Sequence, residues 1–273
     1  MQRKEIASIL QPSFDINEQT ISIRPRPGGF CFSLFDHKQG AYHALSEWTG
    51  MRNEEELRRA WEQTGLNGKN PQKAILFTDS ERWTMIPNVL AKTDRNAAWK
   101  LAFGETSRHP LKEQPIDAAG ATCLFESDNS THTIWKELIP GIEEWPLQAA
   151  DCTYILRKSI RIDQRITGVA IRPDHIDIYV CENGKLLLAN RYTCDGDADI
   201  VYYVMNIYRL FKLSQAHTPI FIWGENIGKQ TANSLKTYIA SVNYARPEGQ
   251  YRLNNGIEKV DNLYNYIELF WNE

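Results

Sequence analysis

Several short stretches of this chain hold residue types that could do chemistry. His37 and His43 flank the turn His37-Lys38-Gln39-Gly40 with Asp36 beside them, two imidazoles and a carboxylate that could ligate a metal. Histidines at such a turn more commonly face solvent. Gly224-Glu225-Asn226-Ile227-Gly228-Lys229 has the glycines and lysine of a phosphate loop but not its G-x-x-x-x-G-K-[ST] spacing. Arg157, Lys158, Arg161, Arg165 and Arg172 gather positive charge in mid-chain, which suits a solvated face or an anion or partner site. Gly28 and Gly29 follow Arg26-Pro27, and with Arg26 and Arg172 they could hold phosphate through backbone N–H groups and guanidinium charge. Serines near histidines lack a nucleophile-elbow context. Cys31, Cys123, Cys152, Cys181 and Cys194 form no C-x-x-C pair and are odd in number, which predicts buried free thiols.

The elements that position these residues occur twice. Ile23-Arg24-Pro25-Arg26-Pro27 lies 146 positions before Val169-Ala170-Ile171-Arg172-Pro173. The same offset carries Phe30, Phe32 and Leu34 onto Ile176, Ile178 and Val180, and Ala74–Phe77 onto Ile220–Trp223. In the first copy, strands over Thr20–Pro25, Phe30–Asp36 and Ala41–Trp48 precede a helix capped by Asn53 that runs toward Gly65, then a strand at 74–77. In the second, strands over Thr167–Ile171, His175–Cys181 and Leu186–Tyr192 enclose Asn183-Gly184, a strong two-residue hairpin signal. A helix from Asp197 or Asp199 to about Leu213 is apolar nearly all round, which predicts full burial. A strand at Ile220–Trp223 and a helix over Thr231–Val242 follow. Between the copies we expect a strand at Ala121–Phe125, a helix at Thr131–Leu138, a strand near Leu147–Ala150 and a helix at about Thr153–Ile160. Strands alternating with helices after a meander indicate a mixed α/β sheet covered by helices.

The 273 residues give room for about two ordinary domains. A net charge of −3 offers no general attraction for nucleic acid or an anionic membrane. The apolar stretch at the N-terminus stops at Gln11-Pro12, too short for a signal-peptide core, and no run reaches the ~20 apolar residues of a membrane span. The expected location is the cytoplasm. The aromatic stretch Leu263–Trp271 should dock on its own domain or serve as a partner-binding tail.

A meander, helix, strand and helix present twice resembles the actin, sugar-kinase and heat-shock-chaperone ATPase superfamily, where two ribonuclease-H-like halves clamp a nucleotide. Lys185-Leu186-Leu187-Leu188-Ala189-Asn190-Arg191-Tyr192, Asp199-Ile200-Val201-Tyr202-Tyr203-Val204 and Ile220-Phe221-Ile222-Trp223-Gly224 are similar to the signature of a Bacteroidetes family of uncharacterised proteins. The resemblance implies an α/β fold of two actin-like halves, 1–162 and 163–273, related by internal duplication. It implies no assigned activity and so no catalytic residues.

Superfamily ATPases hold phosphate at the first meander turn of each half and place an Asp there for Mg²⁺ or the attacking water. Here the first turn, Arg24-Pro25-Arg26-Pro27-Gly28-Gly29, has glycines but no carboxylate, and its prolines each remove a donor. The second, Arg172-Pro173-Asp174-His175, has no glycine and a displaced Asp174. Where the superfamily ends a late strand with two glycines beside adenosine, this chain has Gly224-Glu225, adding bulk and negative charge. The first strands also lack the carboxylates a nuclease would need. The expectation is a non-catalytic scaffold or interaction protein with no cofactor and no metal, whose partner is another protein. The alternative is a divergent nucleotide-binding protein or ATPase using ATP with Mg, with Arg26, Gly28, Gly29, Arg172, Asp174, Gly224 and Glu225 as cleft candidates.

Overall fold

A computed structural model describes residues 2–8, 16–127, 129–225, 227–254 and 256–270. Its strands are β1 (Gln2–Ser8), β2 (Gln19–Arg26), β3 (Gly29–Asp36), β4 (Ala41–Thr49), β5 (Lys73–Thr78), β6 (Trp83–Pro87), β7 (Leu111–Ile116), β8 (Ala121–Glu126), β9 (Glu143–Pro146), β10 (Arg165–Ile171), β11 (His175–Glu182), β12 (Lys185–Thr193), β13 (Ile220–Gly224), β14 (Val242–Tyr244) and β15 (Arg252–Leu253). The helices are α1 (Glu54–Gln63), α2 (Asn88–Thr93), α3 (Arg95–Phe103), α4 (Asn129–Leu138), α5 (Leu147–Ile162), α6 (Asp197–Leu210) and α7 (Lys229–Lys236).

Two mixed sheets carry the fold. The first runs β1-β4-β3-β2-β5-β9, with β15 against β4, and the second β12-β11-β10-β13-β14. In each, an antiparallel meander is followed by two strands added in parallel beside its first strand. The register agrees as well. The pairs Ile23↔Phe32 and Ile21↔Ala74 become Val169↔Ile178 and Thr167↔Ile220, each shifted by the 146 residues read from the sequence. Asn183 and Gly184 both take positive φ, 49° and 79°, as their two-residue hairpin turn requires. At α1, the Asn53 side chain accepts the Glu56 N–H at 2.9 Å, capping the helix where expected.

Three local expectations differ from the structure. Leu147–Ala150 is the first turn of α5, and the strand lies just before it as β9. A run of four apolar residues cannot by itself separate a strand from the start of a buried helix. The stretch Thr231–Val242 divides into α7 and the edge strand β14. Between β5 and α4, the sequence showed only β8. That region forms a third, antiparallel sheet, β6-β8-β7, carrying α2 and α3. Its outer strands are short and contain Pro87 and Pro115, which mutes the strand signal.

The central strands of both sheets are buried on both faces, while β12 at the edge of the second is half-exposed. Phe30, Phe32 and Trp48 of the first sheet meet Trp61 of α1 and Trp135 of α4, with Phe30 and Trp61 5.2 and 5.4 Å from Trp135 by ring centroid. One face of the second sheet lies under α6 and α7. Its other face packs on Cys152, Ile155 and Leu156 of α5. The other face of the first sheet is covered from the far end of the chain, by Leu263, Tyr266, Leu269 and Phe270. Of the C-terminal aromatics, Tyr266 and Phe270 dock on the first sheet, while Tyr264 stacks on Tyr244 of β14 with ring centroids 4.6 Å apart; Trp271 lies outside the described residues. All five cysteines are buried and free. No helix among the described residues is long and apolar enough to cross a membrane.

Candidate functional site

The first strand of each meander and the end of the parallel strand beside it meet at the junction of the two large sheets. Arg26 closes β2, and Arg172 follows β10 at the equivalent position. Asp79 follows β5, and Glu225 follows β13, again 146 residues apart. Their contacts are crosswise. Arg26 Nε lies 3.9 Å from Glu225 Oε1, and Arg172 Nε lies 3.9 Å from Asp79 Oδ2. The acid after β13 thus faces the arginine of β2, and the acid after β5 faces the arginine after β10, beyond hydrogen-bond distance of Nε in each case.

Further ion pairs bind this junction. Arg24 on β2, 2% exposed, donates to Glu268 of the C-terminal turns and to Glu225. Arg26 donates to Glu47 at 2.5 Å and to the Asn265 carbonyl at 2.6 Å, and its guanidinium stacks 4.9 Å from the Tyr266 ring. Arg172 donates to Asp151 on α5 at 2.9 Å with both side chains fully buried, and the Trp223 indole N–H donates to the same carboxylate at 2.6 Å. Arg191 on β12 donates to both oxygens of buried Asp177 at 2.7 and 2.8 Å, to Asp79 at 2.7 Å and to the Ser80 carbonyl at 2.6 Å.

The glycines among the candidates are committed to packing. The Gly28 carbonyl accepts the Met51 N–H at 2.9 Å. A Cβ on Gly29 would lie 2.0 Å from the Trp48 carbonyl oxygen. The turn borders a pocket of about 330 Å³ with Asn53 and Trp135, on the flank of the first sheet. At Gly224 (φ +118°) a Cβ would lie 2.0 Å from the Ile171 oxygen and 2.6 Å from Arg172 Nη1. Gly224→Ala should therefore combine backbone strain with a clash, lowering unfolding free energy in urea by about 2–4 kcal/mol. A loss under about 1 kcal/mol would show that the strand end has room to shift. Asp174 is exposed and bonds the neighbouring His175 Nδ1 at 2.7 Å.

Asp79, His175 and Asp177 offer ligand atoms within 4.8 Å of one another, yet the Arg191 guanidinium already binds both carboxylates. Of His37, His43 and Asp36, the group read from the sequence at the β3–β4 turn, His37 bonds the Thr20 hydroxyl and Asp36 accepts from Gln19 and Gln39. Most of the mid-chain basic residues are paired too: Lys158 and Arg161 with Glu248, and Arg165 with Glu182. Asp79, Asp151, Asp177, Arg191, Glu47 and Glu268 were not singled out from sequence. For Asp79 a signal existed, since the repeat offset places it under Glu225.

Over residues 12–242 the sequence matches the family described as "Protein of unknown function (DUF3822)". The chain belongs to the DUF3822 family. No curated protein matches it. Among solved structures it is similar to a Bacteroides thetaiotaomicron protein with an actin-like ATPase fold and unknown function, at 21% identity and TM-score 0.74, covering 94% of this chain and 97% of that one. It is also similar to a chain of a PilM–PilN type IV pilus biogenesis complex, at 9% identity and TM-score 0.63, covering 93% and 97%. This DUF3822 protein thus has an α/β actin-like fold.

The electrostatics of the DUF3822 junction give it a pH signature. Burial pushes the Asp151 carboxyl up to about 7, against the pull of Arg172. Burial also opposes the charged forms of Asp79 and Glu268. It is overridden at Asp79 by the His175 hydrogen bond and the Arg191 and Arg172 charges, and at Glu268 by Arg24, Arg172 and Arg26, so both are held below the usual range. His175 is raised, because its bond to Asp79 outweighs desolvation. A raised Asp151 takes up its proton in the folded state first, so stability rises as pH falls from about 7 toward the ordinary Asp value near 4. One proton corresponds to about 1.4 kcal/mol per pH unit. His175 acts in the same sense above about pH 6.5, its contribution being lost as pH rises through its folded value. Below about pH 4 the sign reverses, as Asp79 and Glu268 lose contributions present only while they are ionised. Urea unfolding across pH should show a maximum on the acid side, and Asp151→Asn should flatten the limb between about 4 and 7. An unchanged limb would place the proton elsewhere.

Proposed function

We propose that this protein is a non-catalytic actin-like scaffold, with two halves that arose by duplication, divided near 162/163, and a cleft closed by the protein's own side chains. The observation that carries this reading is the pairing of every turn arginine with a carboxylate of the chain, Arg24 with Glu225 and Glu268, Arg26 with Glu47, and Arg172 with Asp151. At the turns where a nucleotide's phosphates would meet cations, carboxylates of the same chain already neutralise them. A bound phosphate would have to displace Glu225 and Glu268 from Arg24 and sit beside the displaced negative charge. The shared sheet order and register support duplication. Such a protein acts through another protein, and the likeness to a chain of a pilus-biogenesis complex supports that partner class. We place it in the cytoplasm, with no cofactor and no metal. Phosphate release from Mg-ATP, compared between wild type and Gly28→Val, tests the catalytic side. Equal background rates are expected; a wild-type rate well above the variant's would overturn the reading in favour of a divergent ATPase.

A further inference from the structure

The sequence of α6, apolar nearly all round, predicted a buried helix, and the structure buries only one side of it. Ile200, Val204, Ile207 and Tyr208 enter the core, while Val201 and Met205 are half-buried, and Tyr202 and Leu210 are 64% and 70% exposed. Val201, Met205 and Arg209 are spaced by four and form a stripe along one flank of the helix. With Tyr202, Tyr238 and Lys212 that stripe lines an open groove of about 960 Å³.

Two features indicate what the groove takes. No carboxylate lines it, and its cations Arg209 and Lys212 form no ion pair with one among the described residues; Arg209 is steadied instead by Asn206 Oδ1 at 2.8 Å. Lys212 also stands at φ +52°, at the position after the helix cap where glycine is favoured. Among the described residues the other positive-φ non-glycine positions are Asp163 and Asn183, types that tolerate this conformation. A lysine held there keeps its charge at the groove's end despite backbone strain.

We propose that the α6 groove docks an amphipathic helical segment of a partner protein, its apolar face on Val201, Tyr202 and Met205, and its carboxylates on Arg209 and Lys212. Aromatic and methionine side chains are enriched at such surfaces, and a helix laid in an apolar groove is a recurrent recognition mode. The inference deepens the protein-partner reading and rests on it.

The test selects peptides from a displayed random library on the full chain and measures affinities of the selected, fluorescein-labelled peptides. The expected peptides carry apolar residues at helical spacing next to Asp or Glu, and they bind more weakly as salt rises. Tyr202→Ala and Met205→Glu, with unchanged circular dichroism, should weaken binding about 30-fold or more. Lys212→Gly should raise Tm by roughly 2 °C through relief of strain while still weakening binding. Leu101→Glu, on α3 of the third sheet, should change nothing. Basic or purely apolar peptides, or affinities untouched by Tyr202→Ala and Met205→Glu, would overturn the groove while leaving a partner elsewhere. Failure to select any peptide also overturns it, and the scaffold reading is then judged by the nucleotide measurements alone. Self-association abolished by Met205→Glu would assign the groove to a second copy and likewise overturn the proposal.

Discussion

Replacing Arg24 with methionine should lower unfolding free energy by about 3–5 kcal/mol, among the largest effects of any single change in this chain. Arg24 is 2% exposed, and its two carboxylate partners arrive from distant parts of the sequence, Glu268 from the C-terminal turns and Glu225 from the end of β13. Methionine fills much of the same volume, so the loss isolates charge from packing. Glu268, 1% exposed, would remain buried with its main cation gone. Neutralising the partner as well, in Arg24→Met with Glu268→Leu, should return most of the loss, because an apolar pair of similar volume often replaces a buried ion pair without penalty. Urea unfolding of the single and double variants measures both quantities. If the double variant is no more stable than Arg24→Met, the charge of Glu268 is not what makes the single change destabilising.

Arg191→Met should act as strongly, about 3–5 kcal/mol, for a different structural reason. Its guanidinium satisfies both oxygens of fully buried Asp177 and reaches across to Asp79 and the Ser80 carbonyl. One side chain therefore neutralises the interior of the second sheet and ties it to the loop after β5. Beyond the lost stability, amide exchange over residues 79–82 should accelerate more than exchange in β3, which lies away from this contact. Arg191→Lys should recover only part of the loss, since an ammonium cannot match the two-pronged carboxylate contact and the carbonyl together. Equal acceleration throughout the chain would mean that Arg191 adds global stability without locally joining the halves.

Much of this architecture was legible because one pattern of residues recurs 146 positions along the chain. Alternating residues at 30, 32 and 34 match 176, 178 and 180, which marked the strands, and the pairing register in the structure follows the same offset. Asn53 and Asn183-Gly184 marked a cap and a turn through chemistry local to a few residues. The third sheet escaped because its outer strands are short and proline-bearing, and α5 was cut in two because its first turn is a compact apolar run. At the junction, Arg26 and Arg172 were named from turn chemistry, and Gly224 and Glu225 from the resemblance to the ATPase superfamily. What fills the cleft was hidden, since Arg24 and Glu268 are 244 residues apart and nothing local to either announces the other. Asp151 illustrates the same limit: in sequence it is one polar residue on a helix, and only the fold buries it between Arg172 and Trp223.

On the scaffold reading, the protein's own ion pairs fill the cleft in place of a nucleotide. Thermal unfolding of the wild-type chain with and without about 1 mM Mg-ATP, Mg-ADP or Mg-GTP tests it most directly. A ligand at 100 times its dissociation constant would stabilise by about 2.7 kcal/mol, several degrees for a chain of this size. No shift is expected with any of the three. A shift of several degrees that Arg26→Ala and Arg172→Ala abolish would contradict it and make the junction a nucleotide site.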